Sequence, residues 1–146
     1  MGNESIIIDE KKLKLRFSAL ALFKYREIFD EDLISILHDT ILRVFTFQER
    51  IKALKIENID NLSKVKRDFK ALKGQLLKII YSLNYAANND SSFSFPDFEI
   101  WKEIFNEEES LFNYSWCADL ALMLVESFFP NNENEKYPWV EKNENS

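Results

Sequence analysis

At 146 residues, 46% apolar and 30% charged, the chain is sized and composed for one globular domain with a real core. Two glycines and three prolines argue against folds rich in tight hairpins and against the glycine-rich loops that cradle phosphates. A single cysteine excludes an internal disulfide and any multi-cysteine metal site, and a net charge of −6 disfavours a nucleic-acid partner.

In chain order, Ile6-Ile7-Ile8, a charged turn at Asp9-Glu10-Lys11-Lys12, and Leu13-Lys14-Leu15-Arg16-Phe17 read as a short β-hairpin. The second run alternates apolar and charged residues with the period of a half-buried strand. Two strands are marginal alone, so the hairpin must pack on helices. Ser18 is placed to cap a helix through Phe29, with Leu22, Tyr25, Ile28 and Phe29 on one face. Asp30 or Asp32 can cap the next helix, in which Leu33, Ile36, Leu37, Thr40, Ile41 and Val44 keep a helical repeat. Helix-tolerant residues continue to a break at Asn58-Ile59-Asp60-Asn61.

The clearest helix is expected over 61–87. Leu62, Val65, Phe69, Leu72, Leu76, Ile79 and Leu83 alternate spacings of three and four, a seven-residue repeat. The opposite face carries Lys64, Lys66, Arg67, Lys70 and Lys73. A helical hairpin with the preceding helix is the simplest use of the apolar seam, and a coiled coil with another chain is the sharper one. Gly74 inside this helix costs about 1 kcal/mol against alanine.

Residues 88–92 read as a loop. Pro96 suits the first turn of a helix whose apolar face is Phe98, Trp101, Ile104 and Phe105, with Asp97 and Glu99 near its positive end. An acidic stretch over 106–110 precedes a last helix over 115–129. That helix is apolar nearly all round, from Trp116 through Leu120 and Leu124 to Phe129, as suits a central core helix or one that docks on a partner. The domain is therefore expected over 1–130, followed by a disordered acidic tail over 131–146. Tyr137, Trp139 and Val140 are unusual in such a tail and fit either a docking peptide or loose packing on the domain.

The charge is unevenly spread. Residues 49–78 carry nine basic and four acidic side chains, whereas residues 79–146 carry three basic and thirteen acidic. Such blocks can complement each other within a fold or between subunits. No segment is apolar for long enough to span a bilayer, and the N-terminus lacks a signal-peptide pattern. His38 stands alone without a cysteine or second histidine in reach, and Cys117 opens an apolar helix beside Asp119, a setting for a core thiol. Glu107-Glu108-Glu109 reads as a solvated acidic turn. Neither a catalytic constellation nor a metal or cofactor site is expected.

Three segments together resemble the tail assembly chaperones of long-tailed phages that infect Gram-positive bacteria. The first is the strand-to-helix entry Leu13-Lys14-Leu15-Arg16-Phe17-Ser18-Ala19-Leu20. The second is Phe23-Lys24-Tyr25-Arg26-Glu27-Ile28-Phe29-Asp30-Glu31-Asp32-Leu33. The third is Leu83-Asn84-Tyr85-Ala86-Ala87 followed by Phe95-Pro96-Asp97-Phe98-Glu99-Ile100-Trp101. The resemblance implies a small, mainly α protein of the host cytoplasm, absent from the finished virion. Such a protein binds and solubilises the helical tape-measure protein and helps recruit the tail-tube protein. It implies binding without catalysis, with Phe98, Trp101, Phe105, Trp116, Leu120 and Leu124 as partner contacts that take up an amphipathic helix. Two other readings stand beside it. One is a self-associating helical adaptor, a homo-oligomer through the heptad seam. The other is a nucleic-acid-binding regulator using Lys64, Lys66, Arg67, Lys70 and Lys73.

Overall fold

The computed structural model describes residues 3–53, 59–105 and 114–129. Strand β1 (Asn3–Ile8) pairs antiparallel with β2 (Lys11–Arg16), with Ile6 opposite Leu13 and Ile8 opposite Lys11. Ile6, Ile8, Leu13 and Leu15 are buried on the helix-facing side, and Ile7 points to solvent. The turn is tighter than the four residues expected. Only Asp9 and Glu10 make it, at φ 49° and 68°, and Lys11 and Lys12 join β2. Two left-handed residues match the twist of paired strands, so a tight hairpin forms here without glycine. Aspartate tolerates that conformation, while Glu10 pays about 1 kcal/mol for it.

Helix α1 (Ala19–Phe29) starts at Ser18 as expected, but the serine hydroxyl makes no cap bond. It is buried without a hydrogen-bond partner among the described residues. The two aspartates divide the next boundary between them. Asp30 closes α1 in a left-handed conformation, its N–H donating to the Arg26 carbonyl at 3.0 Å. Asp32 opens α2 (Leu33–Ala53), its carboxylate accepting from the Ile34 N–H at 3.2 Å and the Ser35 hydroxyl at 2.8 Å.

Helix α3 (Ile59–Ala87) is the spine of the fold. Val65, Phe69, Leu72, Leu76, Ile79 and Leu83 are buried, so the heptad seam is consumed inside the chain, against β2, α1 and α2. The break between helices is expected at 58–61, but residues 59–61 belong to α3. The bond pattern starts α3 at Ile59, and 54–58 lie outside the described residues. The expected helix near Pro96 is short: α4 (Phe98–Trp101) runs into a 3-10 turn (Lys102–Ile104), and Pro96 precedes it rather than joining it. The acidic stretch 106–110 and the tail 131–146 lie outside the described residues. Helix α5 (Ser115–Phe128) buries Trp116, Cys117, Leu120, Ala121 and Leu124 and leaves Leu122 and Phe129 exposed. It packs on α2 and β1.

Aromatic rings join these elements. Tyr81 of α3 meets Phe29, Phe95, Phe98 and Trp101, each with ring centroids 5.3–6.5 Å away, and its hydroxyl donates to the Pro96 carbonyl at 2.7 Å. Phe47 stacks on Phe69 at 5.1 Å, with Tyr114 edge-on to it. This cluster fixes the α4 segment against α3, and with it one wall of the groove described below.

Tyr25, fully buried on α1, accepts from the Gln75 amide at 2.9 Å and donates to Glu31 at 3.2 Å. Burial above all, with the Glu31 carboxylate beside it, pushes its pKa up to about 12. A folded pKa above the unfolded value near 10 means that the stabilisation is complete below about pH 10 and disappears as the pH rises through 12. Denaturant titrations across that window are expected to show a loss of about 2–3 kcal/mol, at 1.4 kcal/mol per unit. In Tyr25→Phe that alkaline limb should shrink, leaving the part due to Tyr81, whose hydroxyl is also pushed up by burial.

Candidate partner-docking groove

Of the six side chains expected to contact a partner, only Phe98 reaches the surface. Trp101, Phe105, Trp116, Leu120 and Leu124 are 0–6% exposed and belong to the hydrophobic core. In a chain this small, the largest apolar side chains are what the core needs, so these five face their own domain. A partner at the surface touches them only through their neighbours. The indole of Trp101 is held by Asn84, whose side-chain oxygen accepts its N–H at 3.1 Å.

What the surface offers instead is a groove along α2 and α3. Two open hollows, about 430 and about 350 Å³, adjoin at Arg43 and Ala71. The first is lined by Leu42, Phe47, Leu72 and the Arg50–Asp68 ion pair, with Asp39 and Thr46 on its α2 side. The second is lined by Gly74, Gln75, Leu77, Lys78, Phe98 and Lys102. From Asp68 to Lys78 the α3 wall covers ten residue steps, about 15 Å at 1.5 Å per step. The groove is therefore long enough for about three turns of a helix or a short extended peptide.

Its chemistry follows from which residues α3 turns outward. Lys64, Arg67, Ala71 and Gly74 are exposed and Lys78 is half-buried. They repeat at spacings of three and four, a second seam on the face opposite the buried one. Small residues at its centre lower the floor. A β-carbon built on Gly74 would meet none of the described residues within 4 Å, so no contact among them requires glycine there. Leu42 is 51% exposed at the α2 lip, an apolar side chain open to whatever occupies the groove.

The rim is mostly basic. Arg50 pairs with Asp68, which holds that carboxyl below its usual range, and Lys102 pairs with Glu99 at 2.8 Å. Arg43 and Lys78 have no carboxylate within ion-pair distance among the described residues. Lys78 lies over the Phe29 ring, 5.5 Å from its centroid. Lys73, expected on the solvated basic face, is instead buried and pairs with Asp9 of the hairpin turn at 3.3 Å. Lys64, Lys66, Arg67 and Lys70 remain exposed.

Other chemistry is sparse. No group of three or more His, Cys, Asp or Glu side chains able to hold a metal occurs among the described residues. His38 is exposed on α2 and Cys117 is buried in α5. Among the described residues no helix is long and apolar enough to cross a membrane.

The apolar seam of α3 marks the core in the sequence, and no local pattern marks Leu42, Arg43, Gln75 or Leu77 as groove residues. Gly74 was the available signal: a helix-interior glycine without an internal reason marks a place kept open. Gly74→Ala is expected to raise stability by up to about 1 kcal/mol, because the methyl group meets no neighbour and the helix gains propensity. A shift of the urea midpoint to higher concentration at unchanged slope is the measurement.

Comparison with protein-family models, with curated proteins and with solved structures finds no match to this chain.

Proposed function

We propose that this chain is a tail assembly chaperone that holds an amphipathic helix of the tape-measure protein in the α2–α3 groove, keeps that protein soluble and helps recruit tail-tube subunits. Two things support the reading. One is the three-part resemblance at residues 13–20, 23–33 and 83–101. The other, which carries the docking geometry, is a solvent-open trough with exposed Leu42 at its lip, half-buried Phe98 at its far end, small Ala71 and Gly74 at its centre, and the core residues Phe47, Leu72 and Leu77 beneath it. Helices dock in such troughs by laying an apolar face on the floor, and basic rims select acidic flanks.

Co-expression with the tape-measure protein encoded beside it tests the proposal. Tape measure recovered in the soluble fraction together with this chain, and insoluble without it, is the expected result. Equal solubility in both cases with nothing copurifying would overturn it. The exposed row Lys64, Lys66, Arg67 and Lys70 favours one competing reading, a nucleic-acid-binding regulator. That reading requires duplex affinity that falls steeply with salt, and the chaperone reading requires none.

A further inference from the structure

We propose that two copies of this chain pair through the outward face of α2, antiparallel about a two-fold axis level with residue 41, so that Asp39 of each copy meets Arg43 of the other. The pairing goes beyond the chaperone reading and does not depend on it. Helix α2 buries Leu33, Leu37, Thr40, Ile41, Val44 and Phe47. It turns Ile34, His38, Leu42 and Phe45 outward, at spacings of four, four and three. Leu42 is 51% exposed, and Ile34 and Phe45 are each 37% exposed. A single exposed leucine is ordinary, but three large apolar side chains in one helical stripe form a surface that a second helix covers. Asp39 and Arg43 flank this stripe on its groove side.

The charge order of α2 selects a second α2 as that helix. A two-fold axis perpendicular to two antiparallel helices brings the same flank of each together with opposite chain directions. A residue some steps before the axis then meets the residue as many steps after it. Asp39 and Arg43 lie two steps either side of residue 41, and Asp32 and Arg50 nine steps either side. The outward charges of α2 thus run from acidic to basic, and reversing the direction sets each acid against a base. Parallel pairing would set Asp39 on Asp39 instead. Glu49 is the one charge out of order, and Lys52 of the same helix holds it at 3.3 Å. Arg50 already holds Asp68, so the register rests on Asp39 and Arg43. Neither has an ion-pair partner among the described residues. Antiparallel macrodipoles favour the same arrangement. Leu42 lies one step from the axis, so the Leu42 side chains of the two copies meet within about 3 Å of the same level. Phe45, four steps after the axis, meets His38 of the second copy, three steps before it. Leu42 and Arg43 also line the docking groove, so a second copy covers one lip of it.

Sedimentation equilibrium of the full-length chain over about 1 μM to 1 mM tests the pairing. The mass is expected to rise with concentration from 17.4 kDa to twice that value and no further. Asp39→Arg alone and Arg43→Asp alone should each stay at 17.4 kDa over that range, since each sets like charges together at two places. An equimolar mixture of these two variants should regain the doubled mass, because each then offers the other the opposite charge at both places. Both positions are exposed, so circular dichroism of each variant should match wild type. Leu42→Lys, beside the axis, should likewise hold the mass at 17.4 kDa. A wild type that stays at 17.4 kDa, or one whose mass climbs past the doubled value, would overturn the inference. Single variants that associate like wild type would do the same, as would a mixture of the two folded variants that stays monomeric. No tape measure enters these measurements, so a monomeric chain leaves the chaperone reading standing, and a failed co-expression leaves the dimer standing.

Discussion

Asn84→Leu is expected to destabilise the fold by about 2–4 kcal/mol, because it strands two polar groups at once. Asn84 is 7% exposed near the end of α3. Its amide donates to the Lys14 carbonyl of β2 at 2.8 Å, and its oxygen accepts the Trp101 indole N–H at 3.1 Å. One side chain thus joins hairpin, spine helix and α4. Leucine fills the volume but leaves a buried N–H and a carbonyl without this partner, each costing about 1–3 kcal/mol. A double-mutant cycle with Trp101→Phe separates the two contacts. The cycle should return a coupling of about 1 kcal/mol, since once the indole is gone only the Lys14 contact remains to lose. Additive single effects would mean that the Asn84–Trp101 bond contributes nothing.

Asp9→Asn is expected to cost about 3 kcal/mol for a different reason. The Lys73 ammonium and Asp9 carboxylate are 7% and 11% exposed and 3.3 Å apart, tying the hairpin turn to the middle of α3. Removing one charge takes this carboxylate away from a buried ammonium, which costs more than the pair itself contributes. Asparagine keeps the left-handed backbone of the turn, so the change reports charge rather than turn geometry. Adding Lys73→Met should restore most of the loss, because an apolar side chain of similar length suits the site better than a buried ammonium beside a neutral amide. A double variant as unstable as Asp9→Asn alone would show that the turn, not the ion pair, is what the aspartate supports.

The helical architecture was readable because its elements carry strong local signals. The three-and-four repeat from Leu62 to Leu83 specifies a buried face whatever packs against it, and all of it except partly buried Leu62 is core. Period-two alternation around Leu13 and Leu15 located β2 equally well. Boundaries were harder where one residue type serves two ends. Asp30 and Asp32 both look like N-caps, yet the left-handed backbone at Asp30 makes it the terminator of α1. The hairpin turn misled in the other direction, since Asp9 and Glu10 take positive φ without the glycine that composition would have required. The candidate site was the least legible part. Trp101, Trp116 and Leu120 have the size and apolarity of docking anchors, and the same properties send them to the core; sequence alone does not separate the two fates. The groove depends on Arg43 of α2 and Phe98 of α4 meeting Gly74 of α3, a tertiary juxtaposition with no local pattern.

The central claim is that the α2–α3 groove docks the tape-measure protein, and Gly74→Leu tests it most directly. No described residue lies within 4 Å of a β-carbon at this position, so a side chain placed here starts out into the groove. The measurement is the amount of soluble tape measure that copurifies with Gly74→Leu relative to wild type, at equal expression and with an unchanged urea midpoint. At least a tenfold loss, about 1.4 kcal/mol of binding, is the result predicted. Undiminished recovery by a folded Gly74→Leu variant would contradict the account and move the docking surface elsewhere on the domain.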